Sequence, residues 1–259
     1  MTMSAAPLLE ARQITLRIDA RVFCRDLDIR LFPGDSLVIL GRNGAGKSTL
    51  LTALAGLRAP DAGEILLAGK PYAEHGARAA ARRRSWLGQR RDDPFAARVL
   101  ETVLTGRHPH LGRWQWEGTA DIALARAALA EVGLAEMAER DVRTLSGGER
   151  QRLAIATLFT QDAPLMLVDE PLAHLDMNHQ IAALTLLSGR VRRGAALASI
   201  LHDPGLAARF HTHALFMYGD GESEIGRAED LLVPKKLSRL YGHPLLKATV
   251  DGHVAFVPA

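Results

Sequence analysis

A glycine-rich stretch, GRNGAGKSTL at 41–50, holds the residue types best suited to phosphate chemistry. Gly41 is followed after four residues by Gly46, Lys47 and Ser48, which is the spacing of a phosphate-binding loop. Glycines let backbone N–H groups turn towards an anion, and a helix after the loop adds its positive N-terminal end. The lysine would neutralise β- and γ-phosphate oxygens, and the Ser48 hydroxyl would bind Mg²⁺. The expected nucleotide contacts are Gly41, Arg42, Asn43, Gly44, Ala45, Gly46, Lys47, Ser48 and Thr49.

Two acids end an apolar stretch further along the chain. The sequence LMLV at 165–168 is followed by Asp169 and Glu170. A buried strand that ends in carboxylates presents them at the carboxyl edge of a sheet, where they can coordinate Mg²⁺ and activate water. Paired acids also occur in ordinary solvated loops, and a glycine-rich turn can lack a ligand. Because both patterns occur in one chain, the phosphate site is the better interpretation.

The elements that must position these residues are visible in the hydrophobic pattern. Apolar runs at 37–40 and 65–67 predict strands, and the alternation of Leu27, Ile29 and Leu31 with polar residues predicts a half-exposed strand before them. Beyond 160, the apolar run at 165–168 gives way to a predicted helix over about 177–193. Strands separated by helices favour a mostly parallel sheet covered on both faces.

The middle of the chain has a different composition. Residues 77–159 are rich in alanine and arginine, and 120–132 favour a helix that Gly133 would end. We expect an inserted helical subdomain. The predicted boundaries are 1–86 for the first part of the core, 87–159 for the helical subdomain, and 160–259 for the second part with the C-terminal tail.

Composition limits the remaining possibilities. The chain has 259 residues, 47% of them hydrophobic, and a formal net charge of +3, too small to indicate nucleic-acid binding. Its single cysteine, Cys24, excludes an internal disulfide and is expected to be buried. The first residues lack the pattern of a secretory signal, and no apolar run is long enough to cross a bilayer. We therefore expect a protein of the cytoplasm.

The most specific motif lies between the two phosphate-site candidates. LSGGERQ at 145–151 resembles the signature motif of ATP-binding cassette (ABC) ATPases. Gln89 in WLGQ is similar to the family's Q-loop, Leu175-Asp176 to its D-loop, and His202 to its switch histidine. The resemblance extends over almost the whole chain and implies the α/β class. The expected fold is a P-loop NTPase core, mostly a parallel sheet flanked by helices with an N-terminal antiparallel β portion, plus an inserted helical subdomain.

The resemblance also implies roles for individual residues. ATP held by one subunit would be closed over by the signature motif of a second copy in a head-to-tail homodimer, and a helix over about 149–159 would present its N-terminus. Glu170 would orient or deprotonate the attacking water, His202 would contact the γ-phosphate, and Gln89 would link metal and nucleophile to the helical subdomain. The implied Mg²⁺ ligands are Ser48, Gln89 and Asp169, and the further nucleotide contacts are Ser146, Gly147, Gly148 and Asp176.

Two positions depart from the family pattern. An aromatic residue near the end of the first strand usually stacks on adenine, but the matching position holds Ile18, with Phe23 nearby and out of register. Aliphatic contact is weaker and less base-specific, so we expect a relaxed nucleotide preference. The second departure is His174 in AHLD, where small residues are common.

Three stretches, VLTGRHPHLGR, EPLAHLDMNHQ and HDPGLAARF, resemble ATPases of bacterial importers for iron-siderophore, haem or cobalamin. The resemblance implies integral-membrane permease subunits, with residues 90–113 near their docking groove, and a periplasmic binding protein reached only indirectly. The chain would be peripheral on the cytoplasmic face of the inner membrane and would not bind nucleic acid. The alternatives are an exporter or lipid-extraction ATPase, and a cytosolic ABC ATPase without a transport role.

Other groups of polar residues have simpler interpretations. The pairs His108/His110 and His211/His213 have metal-like spacing, but no cysteine or acid cluster completes either site. The arginines at 82–84 with Arg90 and Arg91 could contact anionic lipid or a partner, although a solvated face is the simpler interpretation.

Overall fold

The computed structural model describes residues 6–89 and 96–259. Arg90 and Arg91 of the arginine cluster, and the start of the 90–113 stretch, lie outside the described residues. The strands are β1 (Leu9–Ile18), β2 (Arg21–Leu31), β3 (Ser36–Gly41), β4 (Ala62–Leu67), β5 (Lys70–Pro71), β6 (Arg84–Leu87), β7 (Leu165–Asp169), β8 (Ala196–Ile200), β9 (His213–Met217), β10 (Ser223–Arg227), β11 (Leu245–Val250) and β12 (His253–Pro258). The helices are α1 (Lys47–Leu54), α2 (Tyr72–His75), α3 (Ala77–Arg83), α4 (Val99–Leu104), α5 (Thr119–Glu131), α6 (Gly147–Thr160), α7 (Met177–Arg192), α8 (Pro204–Phe210), α9 (Ala228–Leu231) and α10 (Pro234–Tyr241).

The central sheet is mostly parallel, as the sequence predicts. Its strand order is β10-β9-β3-β8-β7-β6, and only the edge pair β10/β9 is antiparallel. Strand β3 is buried along its whole length, and its side chains alternate between two cores. Leu37 and Ile39 belong to the core under β1, β2 and α1, while Val38 and Leu40 belong to the core under α6, α7 and α8. A strand covered on both faces reads as a continuous apolar run, which explains the pattern at 37–40.

The N-terminal β portion is antiparallel, in the order β2-β1-β4-β5. In β2 the side chains of Leu27, Ile29 and Leu31 are buried and those of Asp28 and Arg30 are exposed. The alternation read from the sequence is therefore confirmed, because one face of this sheet packs on the core and the other is solvated.

The helical insertion consists of α4, α5 and α6, and its apolar side chains belong to the core under α6, α7 and α8. Helix α5 agrees with the predicted 120–132 segment to within one residue at each end, and Gly133, just after the C-cap residue Val132, has a positive φ of 70°. Arg190 of α7 joins the insertion to the rest of the protein. Its guanidinium lies 2.8 Å from Glu131 of α5 and 3.4 Å from the centre of the Phe159 ring of α6.

Helix α6 corrects one predicted boundary, because it begins at Gly147 and not at about 149. Glycine is a poor helix former, but a reciprocal cap fixes the first turn here. The Glu149 N–H donates to Ser146 Oγ at 3.2 Å, and the Ser146 N–H donates to Glu149 Oε2 at 2.7 Å. The predicted helix over 177–193 agrees with α7 to within one residue.

The C-terminal tail, which the sequence pattern did not predict, folds as α10 followed by the hairpin β11/β12. The hairpin packs on α8 so closely that a Cβ on Gly205 would lie 2.9 Å from the Val254 carbonyl oxygen. Among the described helices, none combines the length and apolarity needed to span a bilayer.

Cys24 and His211 are titratable groups that are buried outside the central cleft. Cys24 is buried as expected, and burial raises the pKa of its thiol to about 11. His211 is also buried, and a 2.7 Å hydrogen bond joins its Nε2 to Ser199 Oγ on β8. Burial lowers the pKa of His211 to about 4, so the imidazole is neutral in the folded protein at pH 7.

We predict that acidification destabilises the fold through His211. Its folded pKa of about 4 lies below the ordinary value of 6.5, so the unfolded chain binds the proton first as the pH falls. The resulting stabilisation is fully present above about pH 6.5 and is lost towards about pH 4, by up to about 3 kcal/mol. Urea titrations at about pH 7.5 and about pH 5 should show a loss of about 2 kcal/mol in the wild type. His211→Gln, which keeps a partner for Ser199, should lose clearly less, and an equal loss would contradict the assignment.

Candidate functional site

A cleft of about 620 Å³ opens at the carboxyl ends of the central parallel strands. The strand register brings the loops after β3, β6, β7 and β8 to one level: Leu87 pairs with Val168, Asp169 with Ile200, and Ile39 with Ile200. The cleft is lined by Phe23, Asn43, Gly44, Gly46, Lys47, Ser48, Thr49, Gln89, Glu170 and His202. Open α/β sheets bind ligands at this edge.

The loop between β3 and α1 takes a backbone shape that requires glycine. Gly44 and Gly46 have φ values of 77° and 92°, and a Cβ on Gly46 would overlap the Phe23 ring. Helix α1 then begins without a side-chain cap. The N–H groups of its first turn have no partner within the helix, so they are free to bind an anion placed in the loop.

Lys47 is held on the floor of this loop. Its Nζ donates hydrogen bonds to the Gly41 carbonyl at 2.8 Å and to the Arg42 carbonyl at 3.1 Å. Burial lowers the pKa of Lys47, while the charges of Glu170 and Asp169 act in the opposite direction. A partly desolvated ammonium attracts a polyphosphate more strongly than a hydrated one, because the local dielectric screens it less.

Asp169 lies at the end of β7 and is buried. Burial raises the pKa of its carboxyl group, which the Ser48 hydroxyl and Lys47 offset in part. Its Oδ1 atom is buried without a hydrogen-bond partner among the described residues. A buried carboxylate oxygen beside a serine hydroxyl fits the hard oxygen donors that Mg²⁺ prefers, and the amide oxygen of Gln89 is a third donor lining the cleft.

Glu170 and His202 come together from adjacent strands. Glu170 follows β7 in the left-handed region, with φ at 49°, and His202 Nε2 donates to Glu170 Oε1 at 2.8 Å. The Gln151 amide of α6 donates to the Glu170 carbonyl at 3.4 Å. A carboxylate fixed by an imidazole at the mouth of a phosphate loop can orient a water for attack on phosphorus.

The structure separates the remaining predicted residues from this cleft. Ser146 and Gly147 are exposed at the N-terminus of α6, and Gly148 lies in its first turn. Asp176 caps α7 by accepting a hydrogen bond from the His179 N–H at 2.9 Å, and hydrogen bonds from His179 lower the pKa of this exposed carboxyl group. None of these four lines the cleft within one chain.

The base-binding end of the cleft differs from the sequence expectation in one respect. Ile18 ends β1, pairs with Arg21 and is 41% exposed, but it does not line the cleft. Phe23 lines it, and the Arg21 guanidinium lies 5.2 Å from the centre of the Phe23 ring. Sequence reasoning missed the contact between Phe23 and Gly46. It joins β2 of the antiparallel sheet to the glycine loop after β3 of the central sheet, and no local sequence pattern records such a contact.

His174 was noted only as a departure, but it occupies a defined position. It has a φ of 62°, and a Cβ on Gly147 would lie 3.3 Å from the His174 Cβ. The loop before α7 therefore rests on the start of α6. The other histidine pairs have different partners: His110 bonds the Gln161 carbonyl at 2.8 Å, and His211 bonds Ser199. Nowhere in residues 6–89 and 96–259 do three or more His, Cys, Asp or Glu side chains group as metal ligands.

Comparisons with known proteins agree with this geometry. Residues 24–173 match the model of the ABC transporter family. The hemin import ATP-binding protein HmuV of Gloeobacter violaceus is 39% identical over 91% of this chain and 87% of its own length. The ferric enterobactin transport ATP-binding protein FepC of Escherichia coli is 35% identical over 100% of this chain and 94% of its own. A solved metal-chelate type ABC transporter in an inward-facing conformation superposes with a TM-score of 0.85 at 28% identity, covering 98% of both chains.

We predict that the wild type discriminates weakly between purine nucleotides, because the Phe23 ring in the cleft is only 7% exposed, and Ile18, which is exposed at the end of β1 outside the cleft lining, has no ring that could reach a base. The kcat/KM values for ATP and GTP should agree within about threefold, and Ile18→Tyr should lower the KM for ATP about tenfold, since base–aromatic stacking contributes about 1–3 kcal/mol. Steady-state hydrolysis assays measure both. Ile18→Val is the matched control and should leave the KM unchanged. A wild type that strongly prefers ATP would contradict the role of this position.

Proposed function

The chain belongs to the ABC transporter family of ATP-hydrolysing subunits, and we propose that it is the energy-coupling subunit of an importer for a metal chelate. The observation that carries the proposal is the cleft itself, where Lys47, Gln89, Glu170 and His202 converge on the glycine loop. The cargo class is supported by relatives that import hemin and transport ferric enterobactin.

The substrate of the proposed reaction is ATP. Its phosphates would lie in the glycine loop, against the first-turn N–H groups of α1, with Lys47 at the β- and γ-phosphates. Ser48, Asp169 and Gln89 are the residues that would hold Mg²⁺, which when bound neutralises charge on the β- and γ-phosphate oxygens. Glu170 would orient the attacking water or accept its proton, and the hydrogen bond from His202 would fix the carboxylate while the imidazole contacts the γ-phosphate.

A second copy would complete the site. Ser146 and the N-terminus of α6 are exposed and separate from the cleft of their own chain, so they are available to meet the γ-phosphate held by another chain. Two chains arranged head to tail would then enclose two nucleotides. His174, which lies beside Gly147 and Gly148, and Asp176 two residues further on would belong to the same interface. ATP binding would draw the copies together, and hydrolysis would release them.

The helical insertion would transmit this motion. Gln89 lines the cleft and also shares a smaller cavity with Thr102 of α4, and Gln151 of α6 touches Glu170, so closure of the cleft and movement of the insertion would be linked. We propose three parts of the insertion as the link to integral-membrane permease subunits: Gln89, α4 and the 3₁₀ turn at Thr105–His110. The chain would then be peripheral on the cytoplasmic face of the inner membrane, and a periplasmic binding protein would act only through the permease. The predicted domain boundaries at 86/87 and 159/160 belong to this proposal.

The proposed function is tested by reconstitution. The chain and the permease subunits encoded beside it, placed in liposomes with the cognate extracytoplasmic binding protein, should take up hemin or a ferric siderophore only with ATP. The proposal would be contradicted if the chain purified in a complex that contains no permease, or if the reconstituted complex exported its cargo.

Glu170→Gln should bind ATP normally but lose turnover. The amide keeps the shape of the side chain but cannot accept a proton, and loss of a general base typically costs about 10²- to 10⁴-fold. Nucleotide binding by equilibrium dialysis and phosphate release measure the two effects separately. Asp230→Asn, an exposed carboxylate in α9 remote from the cleft, is the matched control and should keep both. A Glu170→Gln protein that hydrolyses ATP at half the normal rate would refute the assignment.

The head-to-tail arrangement predicts different defects for the two halves of the site. In a Glu170→Gln background, ATP should convert the chain to a dimer on size-exclusion chromatography. Adding Ser146→Arg should abolish the dimer while leaving ATP binding intact, because the arginine obstructs only the partner's site. Adding Lys47→Ala should weaken ATP binding itself. Ala120→Arg, on the exposed first turn of α5, is the control and should still dimerise. A Ser146→Arg chain that dimerises normally would contradict the arrangement.

A further inference from the structure

Two tryptophans stand almost entirely in water on the helical insertion. Trp114 is 88% exposed and Trp116 is 86% exposed, in the segment between the 3₁₀ turn at Thr105–His110 and α5. Large aromatic side chains are usually well buried in folded proteins, and exposed ones mark interaction sites. We call residues 111–118 the indole loop.

The backbone of the indole loop is held in place at both ends. The exposure of its two rings is therefore not the result of a loosely held segment. Leu111 is buried, and the turn that follows is closed by hydrogen bonds from the Gly112 N–H to Gln115 Oε1 at 3.0 Å and from the Gln115 N–H to the Gly112 carbonyl at 3.2 Å. At the other end the Gly118 N–H donates to Asp121 Oδ2 at 3.0 Å. An anchored loop loses little conformational entropy when its side chains bind a partner.

The surroundings of the indole loop are cationic. The Arg113 guanidinium lies 5.7 Å from the centre of the Trp114 ring. The end of α3 adjoins the base of the loop, because Arg82 Nε donates to the Pro109 carbonyl at 2.6 Å. Arg78 lies one turn before Arg82 on the same face of α3, and Arg83 follows it; all three are exposed. We call Arg78, Arg82, Arg83 and Arg113 the basic face.

We propose that the indole loop and the basic face dock on the surface of an anionic lipid bilayer. Indoles favour the boundary between headgroups and acyl chains, since the ring is apolar while its N–H stays hydrated, and arginines are attracted to anionic headgroups. A protein-binding surface has an apolar core that extends over many residues. Within residues 96–159 of the insertion, the two indoles are by far the most exposed large apolar side chains, and Leu124 of α5 follows at 43%. This proposal takes from the proposed function only the premise that the chain works close to a membrane.

Vesicles without a permease test this contact directly. The full chain should sediment with vesicles of phosphatidylglycerol and phosphatidylcholine at least about fivefold more than with phosphatidylcholine alone, and less in about 0.5 M salt, because the attraction to headgroups is screened. The tryptophan emission should shift to the blue on binding. Trp114→Ser/Trp116→Ser should abolish both effects, and Arg78→Glu/Arg113→Glu should remove the preference for anionic lipid.

Leu246→Ser/Val250→Ser provides the matched control, because these exposed apolar residues lie on the C-terminal hairpin; it should bind vesicles like the wild type. All variants should keep the basal ATPase rate, which shows that they fold. The proposal is overturned if the wild type does not bind, or binds no better than the double serine variant. It is also overturned if the serine variant instead loses assembly with the permease in lipid-free detergent, since the loop would then contact protein. Vesicle binding by a chain that drives no chelate uptake would support this proposal and count against the proposed function.

Discussion

The ammonium of Lys47, held against the Gly41 and Arg42 carbonyls, is the interaction on which the rest of the site depends. It fixes the curve of the glycine loop and places a positive charge near the carboxylates of Asp169 and Glu170 at the end of β7. Asp169 stays buried there although its Oδ1 lacks a partner among the described residues, and such a group destabilises the fold unless something compensates it. In the proposed function, a bound nucleotide with its cation would supply that compensation, so the desolvation penalty at Asp169 would favour binding.

One chain supplies only part of the proposed nucleotide environment. The start of α6 is exposed, and its cap already uses Ser146 Oγ for the Glu149 N–H. That cap orients the helix dipole and fixes the backbone of Gly147 and Gly148 before any partner arrives. His174 rests on Gly147, and Gln151 reaches Glu170, so the surface that would meet another copy is joined by direct contacts to Glu170. In the proposed function, such contacts give a physical route by which closure of a dimer would align the Glu170 carboxylate.

Much of this site could be predicted from sequence, because its parts are local. The glycine loop and the acids after β7 are each specified by neighbours a few residues apart, and the alternation in β2 records which face is buried. Contacts between distant segments could not be predicted. Phe23 of the antiparallel sheet packs on Gly46 in the loop after β3 of the central sheet, the tail folds on α8, and the exposure of Trp114 and Trp116 depends on how the described parts of the chain fold around them. The start of α6 was misplaced because two glycines argue against helix, while the cap that overrides them depends on geometry.

The tail bears on the position of His202. The residue after it, Asp203, caps α8 by accepting hydrogen bonds from the Gly205 and Leu206 N–H groups at 2.6 and 3.0 Å. Gly205 in turn lies directly under the Val254 carbonyl of the hairpin, where a side chain would collide with it. The histidine that bonds Glu170 is therefore tied, through a single residue, to a helix end clamped by the C-terminal hairpin. Any displacement of the His202 backbone along the β8–α8 connection must either carry the hairpin with it or break the Asp203 cap, so the hairpin restricts how far the backbone beneath the imidazole can move.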